Sequence, residues 1–243
     1  MKAMILAAGK GTRLGKITES VPKALVQING KSALQIAVEK CTLAGFAEII
    51  VNVHHFAEKV EAEVDKLNSA GFHISVSDER IQLLETGGGL YKARKFFDNE
   101  PFLLYNTDII TDINLNELLK FHFSQNGLAT LAVRSRSGNR YLLTDTDGRL
   151  CGWINKASGE KIVTCEDNVQ LCEIAFSGIH IIDPEIFSFM NDGVYSMTAV
   201  YLQLAAKHKI FTFRHDSGYW FDIGTPENLN KIREFFLGGG PGV

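Results

Sequence analysis

The chain has 243 residues, a formal net charge of −3, and a composition that is 45% hydrophobic and 10% aromatic. A near-neutral, apolar-rich chain of this length excludes a disordered segment and argues against a nucleic-acid binder, which would carry a basic excess. It is long enough for one large domain or two small ones, with a core that needs no disulfide or metal staple.

The chain opens on a short apolar run that predicts a strand over 2–6. Ser32 and Gln35 then give a capping-box signature ahead of a helical pattern that carries Leu34, Val38 and Cys41 and ends near Gly45. A second strand is predicted over 48–53. The helix predicted over 57–70 puts Val60, Val64 and Leu67 on one face and a solvated run of Glu and Lys on the others. A third strand over 72–77 follows, and Gly87-Gly88-Gly89 precedes a further helical pattern reaching Phe97. The fourth strand, 101–105, ends in Asn106-Thr107-Asp108. In an open parallel sheet the carboxyl end of such a strand is where ligands bind.

From Ala129 onward the texture is strand-rich. Asp147-Gly148 signals a hairpin between strands at 141–144 and 150–154, and another strand over 174–182 stops at Pro184. A helix near 198–207, strands near 210–213 and 219–223, and a last helix starting at Pro226 complete the reading. Strands alternating with helical stretches predict an α/β fold of three layers around a mainly parallel sheet. Residues 1–236 read as one domain in two halves, 1–127 and 128–236. The glycine-rich end, 237–243, reads as a flexible tail.

The four cysteines, Cys41, Cys151, Cys165 and Cys172, form no C-x-x-C pair, and no signal-peptide pattern precedes them. They predict reduced thiols in a cytoplasmic protein. No stretch approaches the roughly 18 apolar residues of a membrane span, so no membrane is expected as a partner.

The sharpest local signal is Leu6-Ala7-Ala8-Gly9-Lys10-Gly11-Thr12-Arg13, a glycine-rich loop leaving the first strand, with Pro22-Lys23 downstream. Glycines there let a backbone approach phosphate closely and aim N–H groups at it. Two familiar phosphate motifs fail. The dinucleotide fingerprint G-x-G-x-x-G finds Leu14 where its third glycine belongs, and a Walker A loop ending at Gly30-Lys31-Ser32 finds Leu25 where its first glycine belongs.

The loop and Pro22-Lys23 resemble the signature of the sugar-1-phosphate nucleotidyltransferase family. Further matches follow in order: Glu85-Thr86-Gly87-Gly88-Gly89, Asn106-Thr107-Asp108, Phe176-Ser177-Gly178 and Trp220-Phe221-Asp222-Ile223-Gly224-Thr225. The resemblance covers roughly residues 1 to 236, without the left-handed β-helix that some members append. Within the family the likeness runs to the N-acetylmuramate 1-phosphate uridylyltransferases, with mannose- and heptose-1-phosphate guanylyltransferases as near neighbours. One departure lies just past the loop, where the usual Arg-Pro-Leu-Thr continuation is Gly15-Lys16-Ile17-Thr18.

The resemblance implies a Rossmann-like nucleotidyltransferase fold, with a nucleotide-binding half over 1–127 and a sugar-binding half over 128–236, and a set of roles. Arg13 and Lys23 would be the catalytic cations, serving the β- and γ-phosphates and the α-phosphate of a nucleoside triphosphate. Ala7, Ala8, Gly9, Gly11, Thr12, Glu85, Gly88 and Asn106 would line the nucleotide. Lys156 would hold the phosphate of a sugar 1-phosphate, and Ser177, Gly178 and Trp220 would border the sugar. Asp108 and Asp222 would share a Mg²⁺ ion, a hard cation that leans on one or two carboxylates and completes its shell with substrate phosphates. UTP is the expected nucleotide donor and N-acetylmuramate 1-phosphate or a related hexose phosphate the expected acceptor, in nucleotide-sugar biosynthesis connected with the cell wall. A guanylyltransferase of mannose or heptose phosphate is the same-class alternative, and a non-catalytic nucleotide-sugar sensor a more distant one.

Other features carry less. Adjacent His54 and His55 would face opposite sides of a strand and cannot chelate one ion. Ser177-Gly178 lacks the preceding glycine of a hydrolase elbow, and the cysteines lack zinc spacing.

Overall fold

Along β1 (Lys2–Leu6), Ala3 and Ile5 point into one apolar cluster and Met4 into another, so this strand is covered on both faces. That is the mark of a central parallel strand. The computed structural model describes residues 1–166 and 169–240. After β1 a 3₁₀ segment, Thr12–Glu19, leads to a small hairpin of β2 (Gln27–Ile28) and β3 (Lys31–Ser32). Then come α1 (Ala33–Leu43), β4 (Glu48–Val53), α2 (Ala57–Ser69), β5 (Ile74–Asp78), α3 (Glu85–Lys92), β6 (Phe102–Asn106), β7 (Ile109–Thr111) and α4 (Leu115–Gln125). The second half holds β8 (Ala129–Arg134), β9 (Arg140–Thr144), β10 (Leu150–Asn155), β11 (Lys161–Val163), β12 (Cys172–Ile182), α5 (Met197–Ala205), β13 (Ile210–Arg214), β14 (Trp220–Asp222) and α6 (Pro226–Leu237).

The main sheet runs β5-β4-β1-β6-β12-β8-β13, parallel throughout except that β12 lies antiparallel to both β6 and β8. The first residues of β12 also pair with β9, which continues through β10 to β11. Helices α1, α2 and α4 cover one face around Leu34, Val38, Val60, Val64 and Leu118; α3 and α5 cover the other around Leu90, Val200 and Tyr201. The expected three-layer α/β architecture with a mainly parallel sheet is present. A third cluster, Leu14, Ile110, Ile223, Leu229 and Ile232, ties α6 and β14 to the segment after the first loop. None of the described helices is long and apolar enough to cross a membrane.

Three details differ from expectation. Ser32 caps α1 by accepting from Gln35 N at 3.0 Å, but the Gln35 side chain donates to Glu39 instead of closing the box. The triple glycine lies inside α3, not ahead of it. Each glycine disfavours helix by about 1 kcal/mol, yet a Cβ on Gly88 would stand 2.0 Å from Gly193 O and one on Gly87 2.5 Å from the Tyr195 ring, so packing dictates glycine there. Helix α6 reaches Leu237, and Gly240 N donates to Phe235 O at 3.1 Å, so the first residues of the expected tail fold back on the helix. Residues 241–243 lie outside the described residues.

Candidate active site

Because β1 and β6 are parallel neighbours with Leu6 opposite Asn106, the glycine-rich loop and the Asn106-Thr107-Asp108 triplet leave the sheet side by side at its carboxyl edge. Thr107 fastens them, donating its backbone N–H to Leu6 O at 3.3 Å and its hydroxyl to the same oxygen. β7 and β14 then form a two-stranded ladder with Asp222 opposite Ile109, and Ile223 N donates to Asp108 O at 3.0 Å. Two aspartates 114 positions apart in the chain are thus brought together.

Each aspartate holds a cation. Lys23 Nζ donates to Asp108 Oδ2, both side chains largely buried. Arg13 places an Nη2 3.9 Å from Asp222 Oδ2 with its side chain 65% exposed, free to swing. Asp222 Oδ1 accepts from Gly224 N at 2.7 Å, and a Cβ on Gly224 would stand 2.6 Å from Arg13 Nη2, which explains the glycine of that motif. Among the described residues no cluster of three or more His, Cys, Asp or Glu is built to hold a metal. Asp108 and Asp222 offer two hard carboxylates, donors of the kind Mg²⁺ takes when its remaining ligands come from water and substrate.

Beside this pair lies a cavity of about 330 Å³ bordered by Ala7, Ala8, Gly9, Lys23, Glu85, Thr86, Asn106 and Asp108. Gly9 has neither a positive φ nor any protein atom within 4 Å of a built Cβ; the space above it is open to a ligand. Gly11 serves the protein instead: its φ is +67°, and a Cβ would stand 2.9 Å from Lys23 Cβ. Gly11 and Thr12 therefore shape the turn and do not border the cavity, and Gly88 is buried against Gly193. Glu85 sits on the cavity wall at φ +59°, a left-handed conformation that costs a non-glycine residue about 1 kcal/mol or more.

The loop is held from below by residues that no motif reveals. Asn52 Oδ1 accepts from Ala7 N at 2.7 Å and Ala8 N at 3.3 Å, while its Nδ2 donates to Glu79 Oε1 at 2.7 Å. Glu79 Oε2 accepts from Leu84 N at 3.1 Å at the start of α3. Burial pushes the fully enclosed Glu79 carboxyl above the usual carboxylate value, against the pull of these two donors. The chain Ala7–Asn52–Glu79–Leu84 thus couples both walls of the cavity. Its sequence signal is faint: Asn52 is the one polar residue in Ile49-Ile50-Val51-Asn52-Val53.

The remaining site residues lie toward the second half. β12 carries a bulge between Phe176 and His180, with Gly178 at φ +80°; a Cβ there would stand 2.9 Å from Asn106 Nδ2. Asn106 Oδ1 is buried without a partner. Ser177 is 1% exposed and its hydroxyl bonds His215 Nε2 at 2.8 Å, so it faces the interior. Burial, aided by the Arg134 charge, lowers the His215 pKa to about 4. Trp220 donates Nε1–H to Ser177 O at 3.0 Å, and Arg136 covers its ring at 4.6 Å. Lys156 is engaged with Glu173 at 2.5 Å and lies over Tyr141. Neither Trp220 nor Lys156 borders the cavity.

The chain matches the family described as Nucleotidyl transferase over residues 2–238. It is 31% identical to an N-acetylmuramate alpha-1-phosphate uridylyltransferase of Caulobacter vibrioides, covering 93% of this chain and 92% of that protein. It is 29% identical to a mannose-1-phosphate guanyltransferase beta-B of Xenopus laevis, covering 94% of this chain but 62% of the relative. A crystal structure of HddC from Yersinia pseudotuberculosis complexed with GMP-PN shares the fold at a TM-score of 0.78 and 23% identity, over 97% and 99% of the two chains. With the family signature laid out along one sheet edge, the chain belongs to the nucleotidyl transferase family and is a sugar-1-phosphate nucleotidyltransferase.

Proposed function

We propose that the protein transfers a uridylyl group from UTP to N-acetylmuramate 1-phosphate or a related hexose 1-phosphate, releasing pyrophosphate, with Mg²⁺ as cofactor. The observation that carries the reading is that Lys23 and Asp108 line one open cavity while the Arg13–Asp222 pair, outside its lining, is joined to Asp108 through the β7–β14 ladder and Ile223 N. A pure sensor has no need of two carboxylates and two cations at that point. The choice of UTP and of the muramate sugar leans on the relative in Caulobacter vibrioides, matched over nearly its full length.

An oxygen of the acceptor phosphate attacks the α-phosphorus while pyrophosphate leaves in line. Both reactants are anions, and most of the catalytic work is positioning and charge stabilisation. Lys23, largely buried and directed at Asp108, is placed to meet the α-phosphate at the cavity mouth. The exposed Arg13 folds its fork onto the β- and γ-phosphates, where planar bidentate pairing suits it. Asp108 and Asp222 would hold the metal, which supplies further positive charge to the phosphate oxygens. Gly9 keeps backbone bulk away from the nucleotide, while Glu85, Thr86 and Asn106 border it.

Pyrophosphate release measured for UTP, GTP, CTP and ATP against a panel of sugar 1-phosphates tests the reading. UTP with N-acetylmuramate 1-phosphate should give the highest kcat/KM. Preference for GTP with mannose or heptose phosphate would transfer the assignment to the guanylyltransferases, and nucleotide binding without release from any pair would favour a sensor.

A further inference from the structure

We propose that Arg136, which belongs to no motif of the family, binds the phosphate of the acceptor sugar 1-phosphate; this rests on the transferase reading above. Arg136 lies just past the carboxyl end of β8, which runs parallel to β6 in direction because both are antiparallel to β12. It therefore stands on the same sheet edge as Asp108. Its Nη2 donates to Phe176 O at 3.1 Å and its guanidinium lies 4.6 Å from the Trp220 ring, so two neighbours fix its plane. Trp220 and Asp222 alternate on one face of β14, which lines up guanidinium, indole and carboxylate in a row.

The fork is held but not satisfied. Arg13, Lys23 and Lys156 each have a carboxylate, in Asp222, Asp108 and Glu173. Among the described residues no carboxylate pairs with Arg136, and its buried Nε has no hydrogen-bond partner. Burial holds the Arg136 pKa below its usual value although the Asp222 charge pulls the other way without forming an ion pair, and a half-buried cation in that position is costly unless a ligand supplies a direct counter-ion. The acceptor's phosphate must come beside Asp222 to be attached to the nucleotide. Of the two arginines without an ion pair among the described residues at this edge, Arg134 is turned to Asp216 O and Gly218 O, whereas Arg136 is the one whose charge is felt with that of Asp222. Arginine is suited to it because its fixed donors match phosphate oxygens. Lys156, spent on Glu173, is then the outer of the two cations.

The test is steady-state kinetics of R136M and R136K with the substrate pair that the wild-type enzyme turns over. R136M should raise the KM for the sugar 1-phosphate roughly ten- to a hundredfold, the range for losing a charge-assisted bond, and leave the KM for the nucleoside triphosphate within about twofold. R136K should recover part of the loss, with a melting temperature unchanged in both variants. A second acceptor that differs by a carboxylate on the sugar separates phosphate from sugar recognition; the shift should be equal for both. Turnover by the wild type with an unchanged acceptor KM in R136M would overturn the assignment. So would a rise in both KM values together with a lower melting temperature, which marks a structural prop for Trp220, or a rise confined to the carboxylated acceptor. Absence of turnover by the wild type with every pair sinks the transferase reading instead.

Discussion

The two halves of the site are finished to different degrees. Around the glycine-rich loop the protein satisfies its own polar groups: Asn52 takes the N–H groups of Ala7 and Ala8, Glu79 takes Asn52 and Leu84, and Lys23 rests on Asp108. Toward the second half, Arg134 Nη1, Arg136 Nε and His215 Nδ1 are buried with no partner among the described residues, and Asn106 Oδ1 on the cavity wall joins them. Folded proteins leave few such groups. On the proposed transferase reading, the contrast fits a donor pocket preorganised by the fold and an acceptor pocket in which the Arg136 fork is completed by substrate.

The strongest way to break this contrast is to remove the residues both halves share. D108N and D222N should each lower kcat by about 10³-fold, the scale seen when charge stabilisation at a reacting centre is removed, with little change in melting temperature. Pyrophosphate release at saturating substrates measures it. A loss below tenfold in either variant would mean that its carboxylate is not shared machinery.

N52A attacks the preorganised half alone. It strips the partner from Ala7 and Ala8 and leaves the buried Glu79 with one donor fewer, a destabilisation of about 2–3 kcal/mol. The KM for the nucleoside triphosphate should rise while the acceptor KM stays put, the mirror image of R136M. Equal rises in both would show that the two pockets are one unit.

The pattern of what the sequence reveals follows the same division. Strands and helices with regular apolar spacing, such as β1, β4 and α2, are legible because each buries a face that its own residues define. The loop, Asp108 and Asp222 are legible because their chemistry demands residue types at fixed places. Helix α4 is missed because its buried face, Leu115, Leu118, Leu119 and His122, includes a histidine satisfied by Thr130, which interrupts the apolar period. The helical triple glycine is hidden because Tyr195 and Gly193, more than a hundred residues away, decide it. Arg136 is silent for the same reason: its meaning comes from Phe176 and Trp220, neither of them local.

Acid should loosen the second half first. Burial lowers the pKa of His180 to about 3, and burial with the Arg134 charge lowers that of His215 to about 4. Both are neutral in the folded protein, while the unfolded chain takes up their protons near the ordinary value of 6.5. Stability from these groups is therefore complete above about pH 6.5 and falls as the pH drops toward 4 and then 3, by about 3 kcal/mol for His215 and about 5 kcal/mol for His180. Denaturant unfolding between pH 7 and 4 measures it, and H215N should flatten part of the slope. A profile unchanged in H215N would show that His215 is already protonated in the native state.

The smallest expected effect is the most direct probe of where the acceptor pocket begins. Ser177 lies in a motif the resemblance assigns to the sugar, yet its hydroxyl is buried against His215 and its carbonyl holds the Trp220 indole. S177A removes the hydroxyl and leaves the backbone carbonyl. His215 then loses the partner of Nε2 in addition to the one Nδ1 already lacks, at about 1–2 kcal/mol. The melting temperature should fall modestly while the acceptor KM remains near wild type, because Trp220 keeps its bond. If the acceptor KM rises and the melting temperature does not move, the hydroxyl reaches the sugar in the working enzyme. The boundary between the prebuilt interior and the ligand-completed pocket would then run behind Ser177, with His215 as its first buried support.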